Sequence, residues 1–480
     1  MPRIALPLAF LLAASSPAFS QSDARHASID RIFAAWDSPD SPGCAVGVIQ
    51  NGELAYARGY GMASLDLDAP MTPRTVFYLA SVSKQFTATA AILLAREGRI
   101  SLDDEVRKHI PELRDYGRPL TVRHLINHTS GLRDYLTLMT LAGMRGEDVH
   151  SDEAILELIV RQRELNFPPG TAYLYSNSGY YLLAELVRRV SGQSLREYTD
   201  ERIFRPLGMT QTHFHDDRLM VVKQRAPAYS PSGDSWRLNV WANFDKVGSG
   251  GLMSSIEDLA KWDANFYAAH VGGETLLAEL HRQGVLAGGD TIAYAGGLTI
   301  GGYRGARTVR HGGSTAGYRN ELLRLPDHRF SAIVLCNASS ATAGAYAERI
   351  ADVWLGNALA PLVARSASPA AAGSAADSAS GARAVPGNAA DRRSLTADAL
   401  AAYLGDYRSD EVKATWTVAA RGDTLVLRHR TLGDRVLHRT GSDRFAAGGM
   451  TVEFARSGPN ITGMTIRQDR VRALAFVRVR

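Results

Sequence analysis

Phe77-Tyr78-Leu79-Ala80-Ser81-Val82-Ser83-Lys84 decides how the rest of this 480-residue chain is read. It sets a hydroxyl and an amine three residues apart. Phe86, Ala90, Leu93 and Leu94 space as the apolar stripe of a helix from Ser81 to about Arg96, which Gly98 ends. On such a helix residues i and i+3 share a face, so the Lys84 amine reaches the Ser81 hydroxyl. Ser81 sits at the helix N-terminus, where free N–H groups and the dipole favour a developing oxyanion. A serine hydroxyl needs a base before it attacks a carbonyl, and a lysine can serve where arginine cannot. The chain has six lysines and 48 arginines, yet it places lysine here. The plainer reading is an N-capping serine beside an exposed lysine.

Two further motifs follow in order. Tyr175-Ser176-Asn177 comes after the turn Phe167-Pro168-Pro169-Gly170. It leads into a helix marked by Tyr181, Leu182, Leu186 and Val190 and ending before Gly192. Tyr175 offers a phenol for proton transfer, and Asn177 an amide for a substrate carbonyl or for Lys84. The alternative is turn chemistry, with Ser and Asn capping and Tyr filling the core. Thr308-Val309-Arg310 then reads as a strand leading into His311-Gly312-Gly313-Ser314. Glycines beside a strand imply close backbone approach. The Ser314 and Ser81 N–H groups would form a two-donor oxyanion hole, with Gly313 giving access. His311 would hold a substrate carboxylate or steady the Tyr175 proton. The alternative is a plain strand-to-turn glycine pair.

Taken together, Ser81 to Lys84, Tyr175 to Asn177 and His311 to Gly313 resemble the S-x-x-K, Y-x-N and K-T-G or H-x-G motifs of the serine β-lactamase and penicillin-binding-protein superfamily. The pattern is nearest to class C β-lactamases and the related esterases, D-aminopeptidases and D,D-carboxypeptidases. His124 to Leu132 is similar to the superfamily's H-L-L-x-H-T-S-G-L stretch, and Gly250 to Ser255 followed by Asp258-Leu259-Ala260 is similarly familiar. The resemblance covers about residues 27–358. It implies an α+β fold, with an antiparallel sheet flanked by helices. It implies Ser81 as the acylated nucleophile, Lys84 and Tyr175 as general base and acid, and Asn177 and His311 as substrate-positioning groups. No cofactor is implied. His311 stands where class C β-lactamases carry lysine, which favours an esterase or peptidase. A second class of function remains open, a module that binds penicillin or peptidoglycan without turnover.

Other signals set limits. His124 and His128 stand four apart, but the glutamate of H-E-x-x-H is missing and no third ligand is evident, so no metal site is expected. Gly248, Gly250 and Gly251 lack the G-K-[ST] of a phosphate loop. Ser254 or Ser255 reads as the cap of the next helix. The formal charge of +5 is spread without a basic run, so nucleic acid is not indicated. Arg3, the apolar run Ile4–Ala14 and Ala18-Phe19-Ser20 read as a signal peptide over 1–20. Export to a periplasm or beyond is expected, without a stable membrane anchor. Cys44 and Cys336 fall on apolar strand patterns and read as a disulfide or as two buried thiols.

Strand patterns at 43–50 and 53–58, joined by Asn51-Gly52, return at 307–310, 319–325 and 330–336 around a helical middle. They imply one sheet closed by both ends of a unit spanning 21–360. Residues 361–393 are rich in Ala, Ser, Gly and Pro and read as a linker. Residues 394–480 show short alternating runs broken by Gly422-Asp423, Gly433-Asp434 and Gly458-Pro459-Asn460, which suggests an antiparallel barrel or half-barrel. It resembles the lipocalin-like domains appended to some of these hydrolases. Its role is open between a filled scaffold, a cover for the active site and a polymer-binding unit. Substrates expected are small esters, D-amino-acid peptides or β-lactams.

Overall fold

The computed structural model describes residues 21–239, 245–361 and 396–479. The expected signal peptide and residues 362–393 of the expected linker lie outside them. The Asn51-Gly52 hairpin forms as read. Cys44–Gln50 turns through Asn51 at φ 56° and Gly52 at φ 86° into Glu53–Tyr60. Cys44–Gln50 also pairs with Phe330–Cys336, so strands from both ends of the unit meet. The sheet is antiparallel throughout and runs Thr299–Tyr303, Ala306–Thr315, Tyr318–Leu325, Phe330–Cys336, Cys44–Gln50, Glu53–Tyr60. Cys44 and Cys336 are register partners, and a disulfide joins them.

Both faces of the sheet are covered, which is why its central strands are near-continuous apolar runs. Val46, Val48 and Val334 pack with Ile29, Phe33, Ile350 and Trp354 on one side. Those partners come from the helices Gln21–Phe33 and Ala343–Leu355. Ala45, Ile49, Ile333 and Leu335 join the larger core on the other side. There Ile256–Ala268 lies against the sheet, its start capped by Ser255, whose Oγ accepts the Asp258 N–H.

The helix read from Ser81 begins differently. Ala80–Ser83 is a 3₁₀ turn, and the α-helix is Lys84–Arg96, closed at Gly98 with φ 71°. It runs through the core and is buried on nearly every side, polar residues included. Those polar residues are satisfied inside: the Trp262 indole donates to Gln85 Oε1 at 2.7 Å and Thr87 donates to Gly248 O at 2.8 Å. The helix Asn177–Ser191 packs beside it and ends at Gly192, φ 77°, as the sequence predicts.

The C-terminal strands form a nine-stranded antiparallel sheet. Its edge strands, Gly433–Val436 and His438–Arg439, are separated in sequence by Leu437 alone, so the sheet curls almost into a closed barrel. Tyr403, Tyr407, Phe445 and Phe454 pack edge to face and fill it. The barrel sits on residues 133–167 of the first unit. Trp416, fully buried, donates its indole N–H to Leu141 O at 3.0 Å. Arg133 donates to Glu411 Oε2 at 2.7 Å and to Gln162 Oε1 at 2.9 Å. The same Glu411 oxygen accepts the Arg163 N–H at 2.6 Å.

Two outcomes follow from this packing. Glu411→Ala removes the buried carboxylate of the Arg133 pair, leaving that guanidinium the exposed Glu164 carboxylate at 3.7 Å, and should lower the unfolding free energy of the full chain by about 3 kcal/mol. An unchanged urea midpoint would show that the pair does not hold the units together. The second concerns acid. Burial lowers the proton affinity of His128 strongly and that of His213 and His281 to about 4. An unfolded histidine titrates near 6.5, so below that pH the unfolded chain binds more protons. Stability should be full above about pH 6.5 and fall as pH drops toward 5, each buried histidine adding a slope of at most about 1.4 kcal/mol per pH unit. A urea midpoint that stays flat from pH 7 to 5 would contradict this.

Candidate active site

The three motifs meet at one place. Ala80 holds φ 48°, a left-handed backbone that an alanine adopts only under constraint. Ser83 supplies the constraint: its hydroxyl donates to Ala80 O at 2.5 Å and accepts the Leu252 N–H at 3.1 Å. The turn leaves Ser81 partly exposed, while Lys84 one turn on is fully buried. Lys84 Nζ lies 3.2 Å from Ser81 Oγ, 2.9 Å from Asn177 Oδ1 and 2.6 Å from Ser249 O. Three acceptors around one amine are the set that an ammonium needs.

Asn177 is held from behind. It opens the helix Asn177–Ser191, and its backbone N–H donates to Asp134 Oδ2 at 2.6 Å. Asp134 is itself the cap of Tyr135–Leu141, its other oxygen taking the Leu136 and Thr137 N–H groups. One buried carboxylate thus ties the second motif to the start of a helix some forty residues earlier in the chain.

Tyr175 lies with its ring centre 4.8 Å from Lys84 Nζ. His128 packs 4.1 Å from the tyrosine ring, and its Nδ1 accepts the Ser176 N–H at 3.1 Å. Burial and the nearby Lys84 hold His128 neutral, far below the usual histidine range. Tyr294 stands edge-on to Tyr175 and bonds His311 Nε2 at 3.0 Å. Burial raises the Tyr294 phenol well above its ordinary value.

His311 belongs to the strand Ala306–Thr315, which continues through the glycines instead of ending at them. Its Nδ1 lies 2.6 Å from Gly312 O, an atom that only accepts, so that nitrogen carries hydrogen. Both ring nitrogens therefore face protein partners. The sequence reads His311 as holding a substrate carboxylate or steadying the Tyr175 proton; its ring centre lies 6.2 Å from that of Tyr175. Gly313 does what a close approach demands: a Cβ there would stand 2.1 Å from Leu79 O and 3.3 Å from Ser81 N. Any other residue would push Ser314 and its strand off the serine turn.

Ser81, Lys84, Tyr175, Asn177, His311, Gly313 and Ser314 thus belong to one neighbourhood. His124 serves elsewhere, its ring nitrogen accepting the Thr121 N–H in a helix cap. Sequence reasoning missed Asp134, Tyr294, the Ser249 carbonyl and Arg470, whose guanidinium lies 4.7 Å from the Tyr175 ring centre. Only Ser249 carried a signal, lying inside the glycine-rich stretch 248–251.

The chain is similar to known proteins in sequence and in fold. The D-aminopeptidases of Brucella canis and Brucella anthropi are each 32% identical to the chain, over 298 and 299 residues, or 62% of this chain and 56% of theirs. The chain thus matches little more than half the length of these relatives. Among solved structures, the octameric penicillin-binding protein homologue of Pyrococcus abyssi superposes with a TM-score of 0.61 at 22% identity, covering 94% of this chain and 99% of that one. The D-amino acid amidase of Ochrobactrum anthropi gives 0.58 at 22%, covering 69% and 98%. The first match extends over the barrel, whereas the second leaves about a third of this chain uncovered. The Beta-lactamase family matches residues 29–353, a span that holds all three motifs, and the chain belongs to that family.

Proposed function

We propose that the protein is a serine hydrolase that works through an acyl-enzyme on D-amino-acid peptides or amides, with small esters as surrogate substrates. The observation that carries this is the 3.2 Å contact between Lys84 Nζ and Ser81 Oγ inside a ring of satisfied acceptors. Ser81 Oγ attacks the carbonyl carbon. Its proton passes into the Lys84–Tyr175 pair, and the backbone N–H groups of Ser81 and Ser314 receive the oxyanion. The proton then returns to the leaving amine, and water attacks the acyl-serine by the same relay in reverse. Asn177 holds both Lys84 and the incoming amide.

The names of the curated relatives support peptides and amides over β-lactams. Export is part of this reading. It draws support from the Cys44–Cys336 disulfide, since such bonds persist in oxidising compartments. So is the division into a hydrolase unit over 21–360 and a barrel over 394–480.

The test is turnover of D-alanyl and L-alanyl nitroanilides and of a short-chain nitrophenyl ester, with intact-mass trapping of the acyl-enzyme. Ser81→Ala should lose at least about 10³-fold in kcat/KM and all adduct. Lys84→Arg should lose at least about 10²-fold, since a guanidinium does not exchange its proton. Near-normal turnover in either variant sinks the mechanism. Preference for the L-substrate would remove the D-specific part alone.

A further inference from the structure

The last two strands of the barrel, Asn460–Gln468 and Val471–Arg478, are joined by Asp469 and Arg470 alone. This turn is seated by contacts that do not involve the Arg470 guanidinium. Asn166 Nδ2 donates to Arg470 O at 2.9 Å, and Asn166 Oδ1 accepts the Arg472 N–H at 2.8 Å. Arg472 in turn lies over the Phe167 ring at 5.1 Å. The seat delivers the Arg470 side chain to the motifs. Its Cζ stands 4.7 Å from the Tyr175 ring centre, and a nitrogen stands 3.8 Å from Asp134 Oδ2.

Charged and titratable groups face Tyr175 from every packed element. Lys84 comes from the serine helix at 4.8 Å and Arg470 from the barrel turn at 4.7 Å. His128 is at 4.1 Å and held neutral by burial, and Tyr294 is edge-on at 6.0 Å. His311 is at 6.2 Å. Asp469, largely exposed, brings a carboxylate oxygen to 4.0 Å from Arg470 Nε, and Asp134, the buried carboxylate behind Arg470, already accepts the backbone N–H groups of Leu136, Thr137 and Asn177. Its negative charge is spread over those donors, whereas the guanidinium lies against the ring. A cation there stabilises a phenolate more than a phenol.

We propose that Arg470 is a positioning residue of the active site, inserted by the barrel so that Tyr175 stands ready to release its proton. The base half of the machinery then depends on the second unit being docked. The catalytic consequence rests on the hydrolase reading above, but the effect on the phenol does not.

The experiment therefore has two arms. In the full chain labelled with 13Cζ-tyrosine, the Tyr175 signal is assigned by its loss in Tyr175→Phe and titrated in wild type, Arg470→Gln and Arg470→Lys. Arg470→Gln should raise the Tyr175 midpoint by about one pH unit, and Arg470→Lys should recover most of the shift. In the second arm, the acidic limb of kcat/KM on an uncharged acetate ester should move up by the same amount in Arg470→Gln. An unmoved Tyr175 midpoint in Arg470→Gln overturns the proposal, as does a wild-type Tyr175 that does not titrate below about pH 11. A loss confined to KM for carboxylate-bearing substrates also overturns it and makes Arg470 a substrate-binding group. Should wild type show no turnover at all, the hydrolase reading fails while the titration still decides the role of Arg470.

Discussion

The structure is organised around an amine with no water to turn to. Lys84 is fully buried, and a buried ammonium costs several kcal/mol unless its hydrogens find acceptors. The acceptors come from separate places: Ser81 on the preceding turn, Asn177 at a helix start, Ser249 in a glycine-rich loop. Each must be fixed before it can serve. The glycine loop is stitched to the serine helix by Thr87 to Gly248 O, by the Gly251 N–H to Tyr78 Oη, and by the Leu252 N–H to Ser83 Oγ. Asn177 is fixed by Asp134, and the serine turn by Ser83 and by the glycine strand pressed on it. The site is thus the place where the cost of burying one charge is met by parts of the chain nearly a hundred and seventy residues apart.

Much of this was legible in the sequence, for a physical reason. The S-x-x-K spacing, the Asn51-Gly52 turn, the stop at Gly192 and the cap at Ser255 are local instructions, and local instructions survive in a linear string. The C-terminal barrel was legible because alternation broken by glycine turns is also local. Signals failed where tertiary burial overrode them. The serine helix looked one-sided from Phe86, Ala90 and Leu94, yet Gln85, Thr87 and Thr89 are buried too: Gln85 pairs with Trp262 and Thr87 with Gly248, far along the chain, while Thr89 donates back to Gln85 O. Its first turn is 3₁₀ because Ala80 is forced to positive φ, which no residue choice there announces. The strand after Arg310 looked ready to turn at its glycines. Gly313 instead clears room for the Leu79–Ser81 backbone, and Gly312 for the Glu321 carboxylate on the next strand.

Tyr294 and Arg470 were invisible for a different reason. Each stands alone in a stretch without pattern, and each earns its place only by what the fold sets beside it. Tyr294 stands beside both Tyr175 and His311, the three ring centres about equally far apart, and its hydroxyl pairs with His311 Nε2. His311 stands where related motifs carry a lysine, and its planar ring meets Tyr294 through Nε2 and Gly312 O through Nδ1 at once.

The barrel shows the same logic at larger scale. Its interior is filled by aromatic rings, so its reach toward the site is a matter of its outside and its turns. An interface made only of apolar side chains tolerates sliding, because hydrophobic burial is non-directional. This one also buries Arg133, Glu411 and Gln162 in mutual hydrogen bonds and clamps the last turn through both ends of the Asn166 amide. A small displacement would leave a guanidinium and a carboxylate unpaired in the interior, so the barrel has one seat. Arg133 and Asp134 are neighbours in sequence. The first holds the barrel and the second meets Asn177 and Arg470, so the residues that dock the second unit and those that order the second motif are a single short segment.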